Sequence, residues 1–442
     1  MHSQRIYGII LYVPFGGRFA AGLKNKKGVV MPFKMRVKLS AMMFLQFMML
    51  PVWFVPMFPY VQKLPGGEQW AFWCGMIMGF GTLASPLFGM LADRFLNAEK
   101  VLALSNFICA ALLGGCYFVK DPAILFFLLL ATMIVYMPSW SLTATIAMAN
   151  STTEAFPQIR VFGSLGWVAS AIFSIIGVKC LNIADFDSTA CIFAAGAIAA
   201  ALGGLLAFTL PATPPKAKGT PMSVVDALGL RALSLLKDPV FFVFALLLLL
   251  AMVPFQWYMV YNPAYLQESG FKYLTVTMNL GQVGELCFML LIPVLLKKFG
   301  YKWAMVIGLG ALAFRYGCFY GSAAFGLAWL DFGGILVHGL IFGLLVIGAQ
   351  MYVDNFAPAE LRNQAQGLVM LITGGVGVFA SNFVFQKLLN ANVVKKVVDG
   401  KETVMHDWSN PVLIALVTAV VLTALMAICF NPKKASSADT AK

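Results

Sequence analysis

Apolar runs nearly free of charge recur along this chain, and they leave few folds open to it. About twelve segments of spanning length can be drawn: roughly 39–61, 69–91, 100–119, 122–148, 158–179, 190–210, 239–262, 273–296, 302–321, 328–353, 364–386 and 411–430. A helix rises ~1.5 Å per residue and the hydrocarbon core of a bilayer is ~30 Å thick, so runs of this length can cross it. Inside lipid the backbone must satisfy its own hydrogen bonds, which restricts a spanning segment to a helix or a closed barrel. The runs are continuous rather than alternating, which excludes the barrel. Hydrophobic residues make up 60% of the chain and charged residues 11%, against ~25% charged in an ordinary soluble domain. The expected fold class is an all-α polytopic membrane protein with twelve transmembrane helices, whose glycines and small polar residues suit close helix packing.

Charge orients the bundle. Eight basic residues and no acidic ones precede the first span: Arg5, Arg18, Lys24, Lys26, Lys27, Lys34, Arg36 and Lys38. Lys216, Lys218, Arg231 and Lys237 follow span six, and Lys297, Lys298 and Lys302 follow span eight. Most alternate loops carry single lysines, the exception being the last, from Lys387 to Lys401. Basic residues favour the cytoplasmic side, so both termini and the central connection are expected there. The net charge of +13 then reads as a topology signal. A nucleic-acid partner is excluded for want of a basic, aromatic-interleaved patch in a soluble domain.

The expected organisation is a cytoplasmic extension over 1–34 (disordered, or an over-long start with Met31 or Met35 as initiator), a six-helix bundle over 35–210, a Pro- and Lys-rich linker over 211–238, a second six-helix bundle over 239–430 and a polar tail over 431–442. Two six-helix pseudo-repeats around a linker are an arrangement of secondary transporters that bind substrate near the midplane.

Enzyme chemistry finds no foothold. The eight cysteines are scattered without a CxxC pair, and the three histidines lie far apart. No HExxH, phosphate-binding loop or nucleophile elbow is present, so no metal, cofactor or nucleotide-driven motor is expected.

Two features point instead to movement of a polar solute. Glu285 lies nearly midway between Lys272 and Lys297, in TVTMNLGQVGELCFMLLIPVLL, with Gln282 on the same helix face. A carboxylate at that depth costs several kcal/mol without a partner, water or proton. GMLADRFLNAEK, after the second span, carries Gly89, Asp93 and Arg94 in Gly-x-x-x-Asp-Arg spacing, suited to a tight turn that latches one conformation or, more simply, to loop charges at the water interface.

That motif resembles the signature of the major facilitator superfamily. KLSAMMFLQF (38–47), YMP (136–138), FPQIRVFGSLGWV (156–168), GQVGELCFMLLIPVLLKKFGYK (281–302), Arg315 within LAFRYGCFYG and PAELRNQAQGLVMLITGGVG (358–377) narrow the resemblance to its nucleoside:proton symporter family, over about Met35 to Phe430. The resemblance implies import of nucleosides with a proton across a bacterial inner membrane, by a monomer embedded in the lipid bilayer.

On positions matching that family's pattern lie Arg160, Ser164 and Trp167, then Gln256, Gln282, Glu285 and Phe342. Arg160, Ser164 and Trp167 share one helix face. Amides suit a base edge, aromatic faces suit stacking and a carboxylate suits sugar hydroxyls. Simpler roles stand beside these: Arg160 as a snorkelling residue, Trp167 as packing, Gln256 as an interhelical bridge, and Glu285 in an ion pair with Arg315. Three positions depart from the pattern: Gly343 where an acid is expected, His338 for an aromatic hydroxyl and Met259 for an amide. The proton-coupling candidates are therefore Glu285 and His338, the latter a titratable group or a hydrogen-bonded packing residue. A transporter for a sugar, glycoside or other polar solute, or an uncoupled uniporter, is the alternative.

Overall fold

The computed structural model describes residues 31–85, 96–152, 155–215, 230–289, 291–358, 361–398 and 401–432. The helices that carry the fold are α1 (Phe33–Gln62), α2 (Gly67–Gly75, resumed over 77–85), α3 (Ala98–Phe118), α4 (Pro122–Ala149), α5 (Gln158–Lys179) and α6 (Cys191–Ala207). They continue as α7 (Pro239–Val260), α8 (Leu274–Met289), α9 (Val294–Phe325, broken by non-helical backbone at Gly300), α10 (Leu330–Phe356), α11 (Gln364–Ala391) and α12 (Ser409–Cys429). Nine helices among the described residues are long and apolar enough to cross a membrane, and α6 is a shorter apolar helix.

Local chemistry sets several ends. Asp121 opens α4, its Oδ1 accepting from the amides of Ala123 at 2.8 Å and Ile124 at 3.0 Å, with Pro122 in the first turn. Asp238 does the same for α7 through Val240 and Phe241, both at 2.9 Å, with Pro239 next in line. An aspartate cap before a first-turn proline supplies an acceptor to orphan amides and needs no amide from the proline. α1 starts at Phe33, six residues before the apolar run, because Lys34 and Arg36, both exposed, and the half-buried Lys38 prolong the helix. α10 and α11 each contain a wide π turn, over Phe342–Ile347 and Leu371–Val376.

The packing pattern recurs six helices along the chain. α1 lies on α5 and α3 on α6; α7 lies on α11 and α9 on α12. Close approach depends on glycine: a Cβ at Gly166 of α5 would stand 2.8 Å from the carbonyl carbon of Phe44 in α1. α8 and α10 come together through Gly281, Gly284 and Gly339; a Cβ at Gly339 would stand 2.6 Å from the carbonyl carbon of Gly284. Within lipid such contact, rather than expulsion of water, holds helices together.

Between α1–α6 and α7–α12, the described hydrogen bonds gather toward the end that carries the 180–190 connection. Asp187 Oδ2 accepts from the Thr275 amide at 2.9 Å, Gln267 donates to Ser188 at 2.8 Å, and Asn279 donates to the Ser170 hydroxyl at 3.1 Å. Asn382 of α11 reaches the Gly75 carbonyl of α2 at 3.2 Å. Beside them lies a two-stranded antiparallel hairpin, β1 (Val393–Val398) and β2 (Lys401–His406), in register from Val393↔His406 to Val398↔Lys401. Glu268 ties it down by accepting from the His406 amide and the Trp408 indole, both at 2.8 Å. The hairpin amends an all-α expectation, though only outside the spans.

Candidate functional site

Gly163 and Gly166 bring α5 close to α1 and set the place of the α5 face. Arg160 lies with its guanidinium carbon 4.3 Å from the centre of the Phe47 ring, a cation–π contact. Ser164 and Trp167 are half-buried on the same face. Trp167 lines a small cavity with Phe54 and Val55 of α1, Tyr258 and Met259 of α7, and Met278 and Gln282 of α8. The cavity leaves ≈ 20 Å³ for the centre of a water-sized sphere. That admits about one water, whereas sites for small organic ligands run to ~300–1,000 Å³. The described conformation is thus closed around the site, and a ligand of nucleoside size would require its walls to move.

Glu285, one turn beyond Gln282, is 9% exposed and wedged where α8 meets Gly339 of α10. Its electrostatic partner is Arg160, although among the described residues the two make no direct ion pair. The anticipated Glu285–Arg315 pair is not formed. Arg315 donates from Nε to the Gly334 carbonyl at 2.9 Å, and its guanidinium lies 3.8 Å from the centre of the Tyr258 ring. α10 is one turn away along the chain from Gly334 to His338, so both stay with the Tyr258 side of the bundle.

The remaining candidates divide. Gln256 is buried and donates to the Thr373 carbonyl of α11 at 2.7 Å, so in this conformation it bridges helices and does not line the cavity. His338 is 1% exposed and stacks on Tyr258, ring centres 5.0 Å apart, with Phe255 and Phe342 each at 6.1 Å. Neither of its ring nitrogens has a hydrogen-bond partner among the described residues, so it is not the hydrogen-bonded packing residue that a lone helical histidine suggests. At Gly343, where the carboxylate is missing, a Cβ would stand 2.8 Å from Ile292 Cγ1, so a larger residue there requires the Ile292 side chain to shift. Met259, the other departure, lines the cavity directly. Gly89, Asp93 and Arg94 lie outside the described residues.

Sequence reasoning passed over three buried groups. Asp331 opens α10 fully buried, accepting from Tyr265 at 2.7 Å and Ser322 at 2.8 Å, so α10 does carry an acid, near its start instead of at position 343. Tyr258 on the cavity wall, and Asp187 under Thr275, were also missed. Their significance lies in partners distant in sequence, which spacing does not reveal. Among the described residues no cluster of His, Cys, Asp and Glu could hold a metal ion.

The chain shares its fold with solved transporters. The structure of nucleoside transporter NupG superposes with a TM-score of 0.76 at 24% identity, over 90% of this chain and all of that one. The D-xylose-proton symporter structure gives 0.67 at 14% identity over 91% and 99% of the two chains. Relatives by sequence include the Escherichia coli (strain K12) protein named "Putative nucleoside transporter YegT", 40% identical over 355 residues, 78% of this chain and 82% of that one. The xanthosine permease of the same organism is 29% identical over 376 residues, 78% and 86% of the two chains. The family model described as Nucleoside H+ symporter matches residues 33–435, and the chain belongs to that family of membrane transporters.

Proposed function

We propose that this chain imports nucleosides across a bacterial inner membrane together with a proton, by alternating access between two six-helix halves, 35–210 and 239–430. The observation that carries this reading is the convergence of Trp167 on α5 with Tyr258 and Met259 on α7 and Gln282 on α8 around one small cavity between the halves, with Arg160 of α5 the electrostatic partner of Glu285 on α8. The recurrence of helix pairs α1–α5 and α3–α6 as α7–α11 and α9–α12 supports twelve crossings in two pseudo-repeats. An even number of crossings leaves both termini, the linker over 211–238, the extension over 1–34 and the tail over 431–442 in the cytoplasm, where the basic residues fall. A monomer suffices, because each half supplies one wall of the cavity.

In this mechanism Trp167 stacks on the base, Gln282 reads its edge, and Ser164 and Phe342 complete the walls as the cavity widens. Gln256 joins them on release of its bond to Thr373. Glu285 meets the sugar hydroxyls and exchanges the proton, with His338 the second candidate for that exchange. Gly89, Asp93 and Arg94 form the cytoplasmic latch that holds the inner face shut in the outward-open state. Uptake of labelled uridine and adenosine into cells or proteoliposomes, with and without an uncoupler, tests the reading. Saturable, uncoupler-sensitive accumulation is expected; absence of nucleoside uptake and binding would overturn it. Glycine at 343 in place of an acid and the apolar Met259 on the cavity wall favour a second reading, an uncoupled transporter or one for a sugar or glycoside. Uncoupler-insensitive uptake, or competition by sugars alone, would select it.

A further inference from the structure

Beside the cavity, on α7, α9 and α10, lies a group of polar side chains whose hydrogen-bonding capacity the protein leaves largely unused. Arg315 is 0% exposed and has five N–H donors, of which Nε alone is bonded, to Gly334; neither Nη1 nor Nη2 has a partner among the described residues. Tyr258, 1% exposed, has an unpartnered hydroxyl, and both ring nitrogens of His338 are unpartnered. Arg315 and His338 both pack on Tyr258: the guanidinium lies 3.8 Å from the Tyr258 ring centre, and the imidazole stacks on that ring at 5.0 Å.

Two neighbouring carboxylates do not answer them. Asp331 is taken by Tyr265 and Ser322, and Glu285 faces the charge of Arg160. The group is therefore rich in donors, poor in acceptors and positively charged, in a place where an unsatisfied polar group is costly and a lone charge more so. Tyr258 connects it to the site. Its side chain lines the cavity opposite Trp167, and its hydroxyl lies against α8 where a Cβ on Gly281 would be 2.9 Å away, one residue before Gln282.

We infer that Tyr258, Arg315 and His338 form a recess that receives the carbonyl edge of an oxo base, so that the site prefers uridine to cytidine and inosine to adenosine. The inference rests on the nucleoside reading and names the substrate class within it. In each pair the preferred base presents a carbonyl oxygen where the other presents an amino group. The carbonyl accepts from the Arg315 or Tyr258 donors, whereas an amino group adds a donor to a recess already full of them. The adjoining ring N–H of the oxo base finds its acceptor in the Gln282 carbonyl or an imidazole nitrogen.

Competition against labelled uridine, with full-length protein purified in lipid nanodiscs, tests this. The parent should bind uridine and inosine about tenfold or more tighter than cytidine and adenosine, as one buried group left unpaired implies. Tyr258→Phe and Arg315→Gln should bring each pair within about twofold, by weakening the oxo members alone, and Arg315→Lys should restore part of the preference. A merely structural role would weaken all four ligands alike, and that result overturns the inference. So does a parent that binds the two members of each pair equally, a result that leaves the nucleoside reading intact; a parent that binds none of the four overturns both. Should Arg315→Gln fail to fold, Tyr258→Phe reads the same ratio, and an unchanged ratio in that variant counts against the recess.

Discussion

Two buried polar knots sit at comparable depth in the bundle and are built on opposite terms. In the first, Gln46 of α1 donates to Ser139 of α4 at 2.7 Å, accepts from Asn106 of α3 at 3.0 Å, and offers its backbone carbonyl to the Tyr136 hydroxyl at 2.7 Å. Each of these side chains has a partner within the protein. In the second, Arg315, Tyr258 and His338 crowd together with most of their valences unused. A satisfied network fixes the relative positions of three helices and has nothing left to offer a visitor. An unsatisfied one contributes little to holding the fold and is arranged for something that arrives. The difference marks which polar residues of a transporter build the frame and which belong to its traffic.

The sharpest attempt to break this contrast is to ask whether the second knot is simply slack. Gly339 lies where α10 meets α8 beside Glu285, and an added methyl would overlap backbone that cannot retreat. Gly339→Ala is expected to lose at least ~3 kcal/mol and to yield little folded protein, measured by thermal unfolding in detergent. Gly310→Ala, where nothing lies within 4 Å, should be harmless. Equal tolerance of both substitutions would mean that the α8–α10 contact is loose. Next in size is Glu285→Gln, which should drop the accumulation ratio to about one while equilibrium exchange continues and the unfolding temperature stays near the parent's. Retained, uncoupler-sensitive accumulation would clear Glu285 and direct attention to His338.

Gln46→Leu tests the frame. It strands the Asn106 amide and takes a donor from Ser139, whose hydroxyl keeps its bond to the Tyr136 carbonyl, at a cost of about 1–3 kcal/mol in stability, yet transport per folded molecule should persist. A variant with normal stability and altered substrate preference would reverse the assignment of the two knots. The smallest effect belongs to Asp187, outside the spans, whose pKa is raised by burial against the opposing bond from the Thr275 amide. In the closed face this carboxyl holds its proton more tightly than in water. Closure therefore gains as pH falls through the raised value, and the gain is complete below the ordinary ~3.9. Amide exchange at residues 275–278, corrected for intrinsic rate, should slow on mild acidification in the parent and lose that dependence in Asp187→Asn.

Hydropathy made most of the frame legible. The expected run 158–179 is α5 as observed, and 411–430 differs from α12 by only a residue or two. Gly300, at φ 72°, breaks the helix between the expected runs 273–296 and 302–321, at the expected turn. The misjudged start of α1, by contrast, has a local cause that a run of apolar residues does not encode, its basic first turns. The hairpin did have a signal: Asp399-Gly400 stands between two stretches of strand-forming residues and is a favoured two-residue turn sequence. Within the site, the helical face of Arg160, Ser164 and Trp167 and the pairing of Gln282 with Glu285 could be read from spacing. Arg315 could be seen but not its partner, because the choice between Glu285 and Tyr258 is made by helix contacts through glycine. Tyr258 carried no mark at all among the many aromatics of α7.

The bond between Asp187 and Thr275 has a consequence for the order of events. Thr275 stands in the first turn of α8, the helix that brings Met278 and Gln282 to the cavity, and its acceptor comes from the opposite half. Separating the halves at this face therefore uncaps α8. Orphan amides at the start of a helix fray when their acceptor leaves, so the helix softens at the moment the halves part and its proposed binding residues are uncovered. Capture of a substrate and repair of the helix then become a single step, and some of the affinity gained at the cavity is expended in re-forming a turn some distance above it.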